Sequence, residues 1–262
     1  MTIFLISAGI LGLLIGSFLN VVVYRAPRHE SLAFPASHCP ECQHTLRYWE
    51  NIPLFSWIYL RARCHSCKQP ISWRYPALEI TTSALTCFVA YHFGLHWLLI
   101  PVLLFSWALL ALVVIDLETQ LLPDSITKTF IVFGLLLNTT ALFGWHIALT
   151  TWSSSLLGFC FGYGVLWLLS FVYLKWTGQH GMGGGDLKLL GMIGAVLGLK
   201  AVLMALFIAA ISGGVAAVGY LIAGKGKDYA IPFGPYLALG GWLMLMWPQD
   251  IIGWYLNITV QH

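Results

Sequence analysis

Long apolar runs separated by short polar segments occupy almost the whole chain. Eight runs are long enough, or nearly so, to cross a bilayer. They lie at about 2–23, 77–93, 97–116, 126–144, 153–174, 187–199, 200–223 and 233–249. The one long polar break is residues 24–76. This pattern predicts an all-α polytopic membrane protein with about eight transmembrane helices and one small cytoplasmic insert.

The composition argues against a soluble domain and against a nucleic-acid-binding protein. Of the 262 residues, 59% are hydrophobic and 9% are charged, whereas about 25% are charged in a soluble domain. The net charge of +3 is small, and the basic residues are spread along the chain rather than clustered for phosphate binding. The lipid bilayer is therefore an expected partner, and nucleic acid is not.

The placement of the basic residues predicts how the chain is oriented in the membrane. Arg25 and Arg28 follow the first run and no basic residue precedes it, so it is expected to be an uncleaved anchor with its N-terminus outside. Eight spans then put four segments on the cytoplasmic side: 24–76, 117–125, 175–186 and 224–232. These segments hold Arg25, Arg28, Arg47, Arg61, Arg63, Lys68, Arg74, Lys175, Lys225 and Lys227. Only Lys200 falls on the outer side of the membrane. Lys128 and Lys188 lie within the first residues of the helices that adjoin these segments.

The polar break carries two C-x-x-C motifs separated by 21 residues. Four thiolates at this spacing can hold one tetrahedral zinc ion, which would be structural because no coordination position stays open for water. The alternative is disulfide bonding, which a reducing cytoplasm disfavours. The candidate ligands are Cys39, Cys42, Cys64 and Cys67. His65 is a possible stray ligand, and Cys87 and Cys160 are expected to be core residues.

Two aspartates, Asp116 and Asp186, stand where apolar runs meet polar segments. Asp116 ends the run that starts at Leu109, where the helix dipole disfavours an anion. Asp186 closes a glycine triplet that leaves room for an extended substrate backbone, although it can also cap the helix that follows. Carboxylates at membrane depth are costly, and two that share one proton can activate water against a peptide carbonyl. We therefore expect Asp116 and Asp186 to be catalytic, whereas Asp124 is open between an N-cap role and a catalytic one.

An ordered set of motifs resembles the bacterial type IV prepilin peptidases, which are the leader peptidases of type IV pilus and type II secretion systems. The opening signature runs from Gly16 to Arg25, and the cysteine motifs come next. The set then continues, in the order of that family, with Asn51-Ile52-Pro53, Arg74-Tyr75-Pro76-Ala77-Leu78-Glu79, Ile115-Asp116, Leu122-Pro123-Asp124, Gly181-Met182-Gly183-Gly184-Gly185-Asp186 and Ile231-Pro232-Phe233-Gly234-Pro235-Tyr236. The resemblance covers nearly the whole chain.

This resemblance implies a G-x-G-D aspartic peptidase of the bacterial inner membrane that removes short basic leaders from prepilins or pseudopilins at the cytoplasmic face. Asp116 and Asp186 match the catalytic aspartates, and the four cysteines match the zinc-binding insert of the family. Many members also methylate the new amino terminus with S-adenosylmethionine, but no motif here marks the site of that methyl donor. The family commonly has glycine where this chain has Ala62. Alanine would block a close backbone approach that glycine allows, so peptidase activity is a firmer expectation than methylation.

The expected organisation is a first transmembrane helix at 1–23, the zinc-binding insert at 24–76, which the resemblance associates with methylation, and a transmembrane aspartic peptidase domain at 77–262. Two other classes of protein compete with the peptidase. One is a non-enzymatic membrane scaffold that docks partners through the zinc insert, and the other is a proton-coupled transporter whose acids relay protons. The acids lie at one face rather than at the midplane, which is atypical of a transporter.

Overall fold

The computed structural model describes residues 1–144, 147–178, 183–224 and 232–260, which contain helices and no β-strand. The chain divides into two compact units, Met1–Ala111 and Leu112–His262. Lys225 and Lys227, two of the basic residues used to predict the orientation, lie outside the described residues.

The first unit contains α1 (Thr2–Arg25), α2 (Phe55–Tyr59), α3 (Arg74–Phe93) and the first part of α4 (Leu99–Thr119). Short 3-10 helices cover Ala26–Arg28 and Tyr48–Asn51. The segment between α1 and α3 has little regular structure apart from α2 and these two turns.

Helices α1 and α3 pack closely because α1 carries small residues on the contacting side. A Cβ atom on Gly12 would lie 2.6 Å from the Cα atom of Ser83, and one on Gly16 would lie 2.6 Å from the Cα atom of Glu79. The Ser83 hydroxyl also donates to the Gly9 carbonyl at 2.9 Å. Gly12 and Gly16 thus let the two helices approach closely.

The polar segment is joined to α3 by a buried carboxylate. The backbone N–H of Leu54 donates to Oε2 of Glu79 at 2.8 Å, and Glu79 is buried. Within the segment, the indole N–H of Trp57 donates to the Ile71 carbonyl at 3.2 Å. These bonds hold α2 against α3 and against the C-terminal end of the segment.

The described residues of the second unit form the rest of α4 and six further α-helices. They are α5 (Asp124–Thr139), α6 (Trp152–Thr177), α7 (Gly184–Leu197), α8 (Leu199–Ile222), α9 (Gly234–Met246) and α10 (Pro248–Val260), with a 3-10 helix at Thr140–Phe143.

Helix α7 is the core of this unit and packs against α5, α6, α8 and α9. A Cβ atom on Gly194 would lie 2.1 Å from the carbonyl oxygen of Gly158, so only glycine lets α6 and α7 approach this closely. The side-chain amide of Asn138 on α5 donates to the carbonyls of Ala195 and Val196, both at 3.0 Å. Residues from 189 to 196 of α7 are all buried. A helix that is apolar on every side belongs in the interior of a bundle.

Five helical stretches in the described part of the chain are long and apolar enough to cross a membrane. They are Thr2–Arg28, Leu99–Thr119, Asp124–Phe143, Trp152–Thr177 and Leu199–Ile222. The other three predicted spans fall on α3, α7 and α9, and the structure does not confirm them as spans. Helix α7 has 14 residues and α9 has 13. At about 1.5 Å per residue these two helices are shorter than the hydrocarbon core of roughly 30 Å.

The boundary predicted at 233–249 is wrong, because α9 ends at Met246 and a separate helix begins at Pro248. Proline lacks an N–H group and its ring clashes with the preceding turn, so it starts a helix more readily than it continues one. Trp247, which precedes the proline, has left the helical conformation, with φ of −133° and ψ of 53°. Within the described residues, Pro248–Val260 therefore forms a separate α-helix, α10, that the apolar pattern did not predict.

Candidate active site and metal centre

The two C-x-x-C motifs form the same backbone turn. The N–H of Cys39 donates to the carbonyl five residues later at 3.0 Å, and the N–H of Cys64 does the same at 2.8 Å. In each turn the N–H four residues after the cysteine donates back to the cysteine carbonyl. The residues that close the turns, Gln43 and Lys68, have φ of 58° and 61°. Each turn therefore presents both of its sulfurs toward one point.

The four predicted cysteine ligands come together. Their Sγ atoms all lie within 4.8 Å of one another, with Cys39 to Cys67 and Cys42 to Cys64 both at 3.9 Å. These sulfur–sulfur distances are too long for disulfides. With Zn–S bonds of about 2.3 Å, the edge of a tetrahedron is about 3.8 Å, so the cluster fits a zinc ion. His65 is not a member of this group.

The electrostatics of the cluster also suit a metal. Burial raises the pKa of the Cys64 thiol, but the backbone N–H groups of Cys67 and Ser66 donate to its sulfur and lower the pKa to about 7. A thiolate is the form that binds a metal. The backbone of this turn thus favours one thiolate, whereas, despite the N–H of Gln69, the neighbouring cysteines raise the pKa of the Cys67 thiol to about 12.

The position where the family commonly has glycine is strained here. Ala62 has φ of 57° and the preceding Arg61 has φ of 51°. The left-handed region is favoured by glycine and costs other residues about 1–2 kcal/mol. The carbonyl of Ala62 accepts a hydrogen bond from the N–H of Ile71 at 2.7 Å, which holds this conformation next to the second cysteine turn.

Asp116 lies in the last turn of α4, which continues to Thr119 rather than ending at the aspartate as predicted. The side chain is buried, with 5% of the residue surface exposed. The backbone N–H of Gly234, the first residue of α9, donates to its carboxylate. The N-terminus of α9 therefore offsets the unfavourable dipole of α4. The second oxygen, Oδ2, is buried and has no hydrogen-bond partner among the described residues.

Gly234 has to be glycine for this contact to form. A Cβ atom at this position would lie 2.6 Å from Oδ2 of Asp116, a distance that real Cβ atoms do not show. The sequence motif around Gly234 entered the resemblance, but no role followed from it. No local pattern reveals this contact, because Asp116 and Gly234 come from helices far apart in the chain.

Asp186 lies in the first turn of α7, outside the five candidate spans and just before the apolar part of the helix. Burial raises its pKa, and the charge of Asp116 raises it further, to about 7. The charge of the Asp116 carboxylate thus acts on Asp186. One of them can hold a proton near neutral pH while the other is ionised.

The glycine triplet before Asp186 has two different roles in packing. A Cβ atom on Gly183 or Gly184 would have no heavy atom within 4 Å, whereas one on Gly185 would lie 2.8 Å from the Cβ atom of Leu122. The first two glycines therefore leave open space beside the aspartate, and the third lets Leu122 approach α7. The first two residues of the motif, 181–182, lie outside the described residues, as does residue 231 of the last motif.

Asp124 is not the N-cap of α5, and its carboxylate is paired with two lysines. The N-cap of α5 is Pro123, and Asp124 occupies the first turn. Its carboxylate forms ion pairs with Lys128 at 2.7 Å and with Lys188, whose ammonium donates to Oδ1. Sequence reasoning recorded Lys188 only as a charge near a helix end and missed this pairing.

Helices able to cross a membrane, together with two interacting carboxylates at helix ends, are typical of a membrane-embedded aspartic peptidase. Comparison with known proteins agrees with this class. The family model of the bacterial peptidase A24 N-terminal domain matches residues 10–93, and that of the type IV leader peptidase family matches residues 103–218. The chain belongs to the type IV leader peptidase family.

Curated relatives are similar over nearly their full length. A prepilin leader peptidase/N-methyltransferase of Stutzerimonas stutzeri is 39% identical over 98% of this chain and 95% of its own. Proteins of the same name from Pseudomonas aeruginosa and Neisseria gonorrhoeae are each 38% identical, over 98% and 97% of this chain and 94% and 95% of their own. No solved structure matches the chain.

Proposed function

We propose that this protein cleaves the leader from prepilins or pseudopilins with Asp116 and Asp186 and then methylates the new amino terminus. Membership of the type IV leader peptidase family and near full-length similarity to prepilin leader peptidase/N-methyltransferases support both activities. The observation that carries the site assignment is the interaction of the two carboxylates. Asp116 is also buried against the N-terminus of α9.

The proposed reaction is the direct attack of water on the scissile peptide bond. The ionised aspartate takes a proton from water as the water oxygen bonds to the carbonyl carbon, and the protonated aspartate donates to the carbonyl oxygen. The carbon–nitrogen bond then breaks, and the leaving amine receives a proton from the pair. The shared proton belongs to the coupled pair rather than to one aspartate.

The open space beside Gly183 and Gly184 supports a place for the substrate. Without side chains at these two positions, an extended backbone can approach Asp186. A prepilin whose apolar helix stays in the bilayer would bring its leader to the same depth. The position of the site thus selects membrane-tethered substrates.

We propose zinc as the ion held by Cys39, Cys42, Cys64 and Cys67. Four protein ligands leave no position for water, so the ion would be structural. It would stabilise a segment that has few buried apolar residues of its own. S-adenosylmethionine is the proposed methyl donor, and we assign no residue to its binding.

The proposed topology has eight transmembrane helices in the bacterial inner membrane. The apolar runs at about 77–93, 187–199 and 233–249 complete the five candidate spans, so Asp186 lies just outside the span on α7. The proposed domains are 1–23, 24–76 and 77–262, as the apolar pattern indicates. The excess of basic residues in segments 24–76, 117–125, 175–186 and 224–232 supports a periplasmic N-terminus and a cytoplasmic active site. Partners are the bilayer and the prepilin or pseudopilin substrate.

The intact mass of a model prepilin tests this function directly. The purified, detergent-solubilised protein is incubated with the prepilin, with and without S-adenosylmethionine. We expect loss of the leader in both reactions and one added methyl group only when the donor is present. An unchanged prepilin mass with a folded, zinc-loaded protein would contradict the peptidase and favour the scaffold. A flux that depends on a pH gradient would favour the transporter.

A further inference from the structure

The ion pair between Asp124 and Lys188 joins two helices at the level of the proposed active site. Asp124 is the first residue of α5, and Lys188 follows Asp186 by two residues in α7. The Lys188 ammonium donates to Oδ1 of Asp124. The neighbouring segment also touches α7, because Leu122 packs against Gly185. Leu122 in the loop before α5 and Asp124 at the start of α5 therefore each contact the first part of α7.

Lys128 and Lys188 bind the same carboxylate in different settings. The Lys128 side chain is 66% exposed and pairs with Asp124 one helical turn away on the same helix. The Lys188 side chain is 29% exposed and connects residues 64 positions apart in the chain. An exposed pair within one helix contributes little and joins nothing new. Only the Lys188 pair can fix one helix relative to another.

The first turn of α7 needs such a fixed point. Its N-cap is Gly183, which has no side chain with which to cap the helix, and neither Gly183 nor Gly184 would bring a Cβ atom into contact with the described residues. Only Gly185, which contacts Leu122, separates Asp186 from these two glycines. Lys188 is the nearest charged side chain in α7 and is directed toward α5 rather than left to pair with Asp186.

We propose that Asp124 and Lys188 are a positioning pair that holds the first turn of α7, and with it Asp186, in register with Asp116 for peptide cleavage. This inference rests on the proposed function. Neither residue touches the substrate in this account. A misplacement of a reacting group by about 1 Å can cost about 100-fold in rate. Loss of the pair therefore lowers kcat more than it raises KM.

Steady-state cleavage of a model prepilin by the full-length protein tests this role. Asp124→Asn and Lys188→Met are each expected to lower kcat by about 10- to 100-fold with little change in KM. The kcat of the double variant is expected to be no lower than that of the less active single variant, because the two residues act as one unit. Lys188→Arg, which keeps the charge and the pairing, is expected to retain most of the parental kcat.

Lys128→Met is the matched control, since it removes the other lysine from the same carboxylate. It is expected to cleave at nearly the parental rate. Melting temperatures and zinc content verify that each variant is folded, and a variant that does not fold is replaced by Lys188→Arg and Asp124→Glu, whose retained kcat supports the pair.

Three results would overturn the inference while Asp186→Asn is inactive. They are full activity of Asp124→Asn, effects that add up in the double variant, and a loss in Lys128→Met as large as that in Lys188→Met. Loss of activity in the two conservative variants would also overturn it. If Asp186→Asn itself cleaves the prepilin, the proposed function fails instead, which distinguishes the two failures.

Discussion

The cysteine cluster of the first unit and the aspartate pair of the second unit are assembled in different ways. Two short turns with the same hydrogen bonds bring the four sulfurs together, and each turn is complete within a few residues. The aspartates come from α4 and α7 and depend on a third helix, α9, for the N–H group that supports Asp116. The first site can therefore form locally once a metal binds, whereas the second requires a packed bundle.

Zinc removal is expected to have the largest effect on folding, and this effect is expected to be confined to the first site. Structural zinc contributes on the order of 10 kcal/mol to the folding of a small domain. Chelation, or the double substitution Cys64→Ser and Cys67→Ser, should therefore unfold residues 38–71. Hydrogen exchange measured by mass spectrometry should show fast exchange there and unchanged protection in α7.

Cys160→Ser is the control for the cysteine substitutions, because Cys160 lies in α6 outside the metal cluster. Slow exchange at 38–71 in the metal-free protein would refute a structural ion. Loss of protection in α7 would show that the two sites do not fold separately.

Gly234→Ala is expected to disable the second site with little effect on the first. The new Cβ atom would lie 2.6 Å from Oδ2 of Asp116, so either the carboxylate or the start of α9 has to move. A shift of about 1 Å is enough to lower kcat by about 100-fold. Prepilin cleavage rates and zinc content measure the two sites side by side.

Gly214→Ala in α8 is the matched control, because a Cβ atom there has no heavy atom within 4 Å. It should cleave like the parent and be slightly more stable, since alanine favours a helix. A Gly234→Ala variant with the parental rate would mean that the contact with Asp116 has no part in catalysis.

Asp186 is expected to make the stability of the second unit depend on pH. Its pKa is raised from an ordinary value of 3.8 to about 7, so the folded protein retains the proton that the unfolded chain releases. The stability associated with this proton is complete below pH 4 and is lost as the pH rises to 7. At pH 8, Asp186→Asn should therefore have a higher melting temperature than the parent, with an unfolding free energy larger by up to about 4 kcal/mol. At pH 4 the two proteins should be equally stable.

The exposed Glu118 provides the control for this pH series. Glu118→Gln should change the melting temperature little at either pH. If Asp186→Asn had the same stability difference from the parent at pH 4 and pH 8, the carboxylate would not be held protonated by its surroundings.

Ala62→Gly is expected to have the smallest effect and to stabilise the insert. Glycine avoids the cost of a left-handed alanine, but it also loses more conformational entropy on folding. We expect a net gain of about 0.5–1 kcal/mol, measured as slower hydrogen exchange around residue 71. Ala84→Gly, at an exposed position in the interior of α3, should be destabilising by a similar amount. A destabilised Ala62→Gly variant would contradict the strain at this position.

The difference between the two sites also explains what could be predicted from the sequence. The spacing of the cysteines specifies a four-sulfur cluster because each half is a local turn. Apolar runs locate the helices for the same reason, although Pro248 divides the last run in two and the short helices α7 and α9 are not confirmed as spans. The contact of Gly234 with Asp116 and the pairing of Lys188 with Asp124 depend on packing between distant helices, and no local pattern reveals such contacts.

The central claim is that Asp116 and Asp186 together cleave the prepilin. The most direct test is the intact mass of a model prepilin after incubation with the parent protein, with Asp116→Asn, with Asp186→Asn and with Glu118→Gln, all verified as folded and zinc-loaded. Our account predicts that the parent and Glu118→Gln remove the leader and that neither asparagine variant does. Leader removal by either asparagine variant at the parental rate would contradict it.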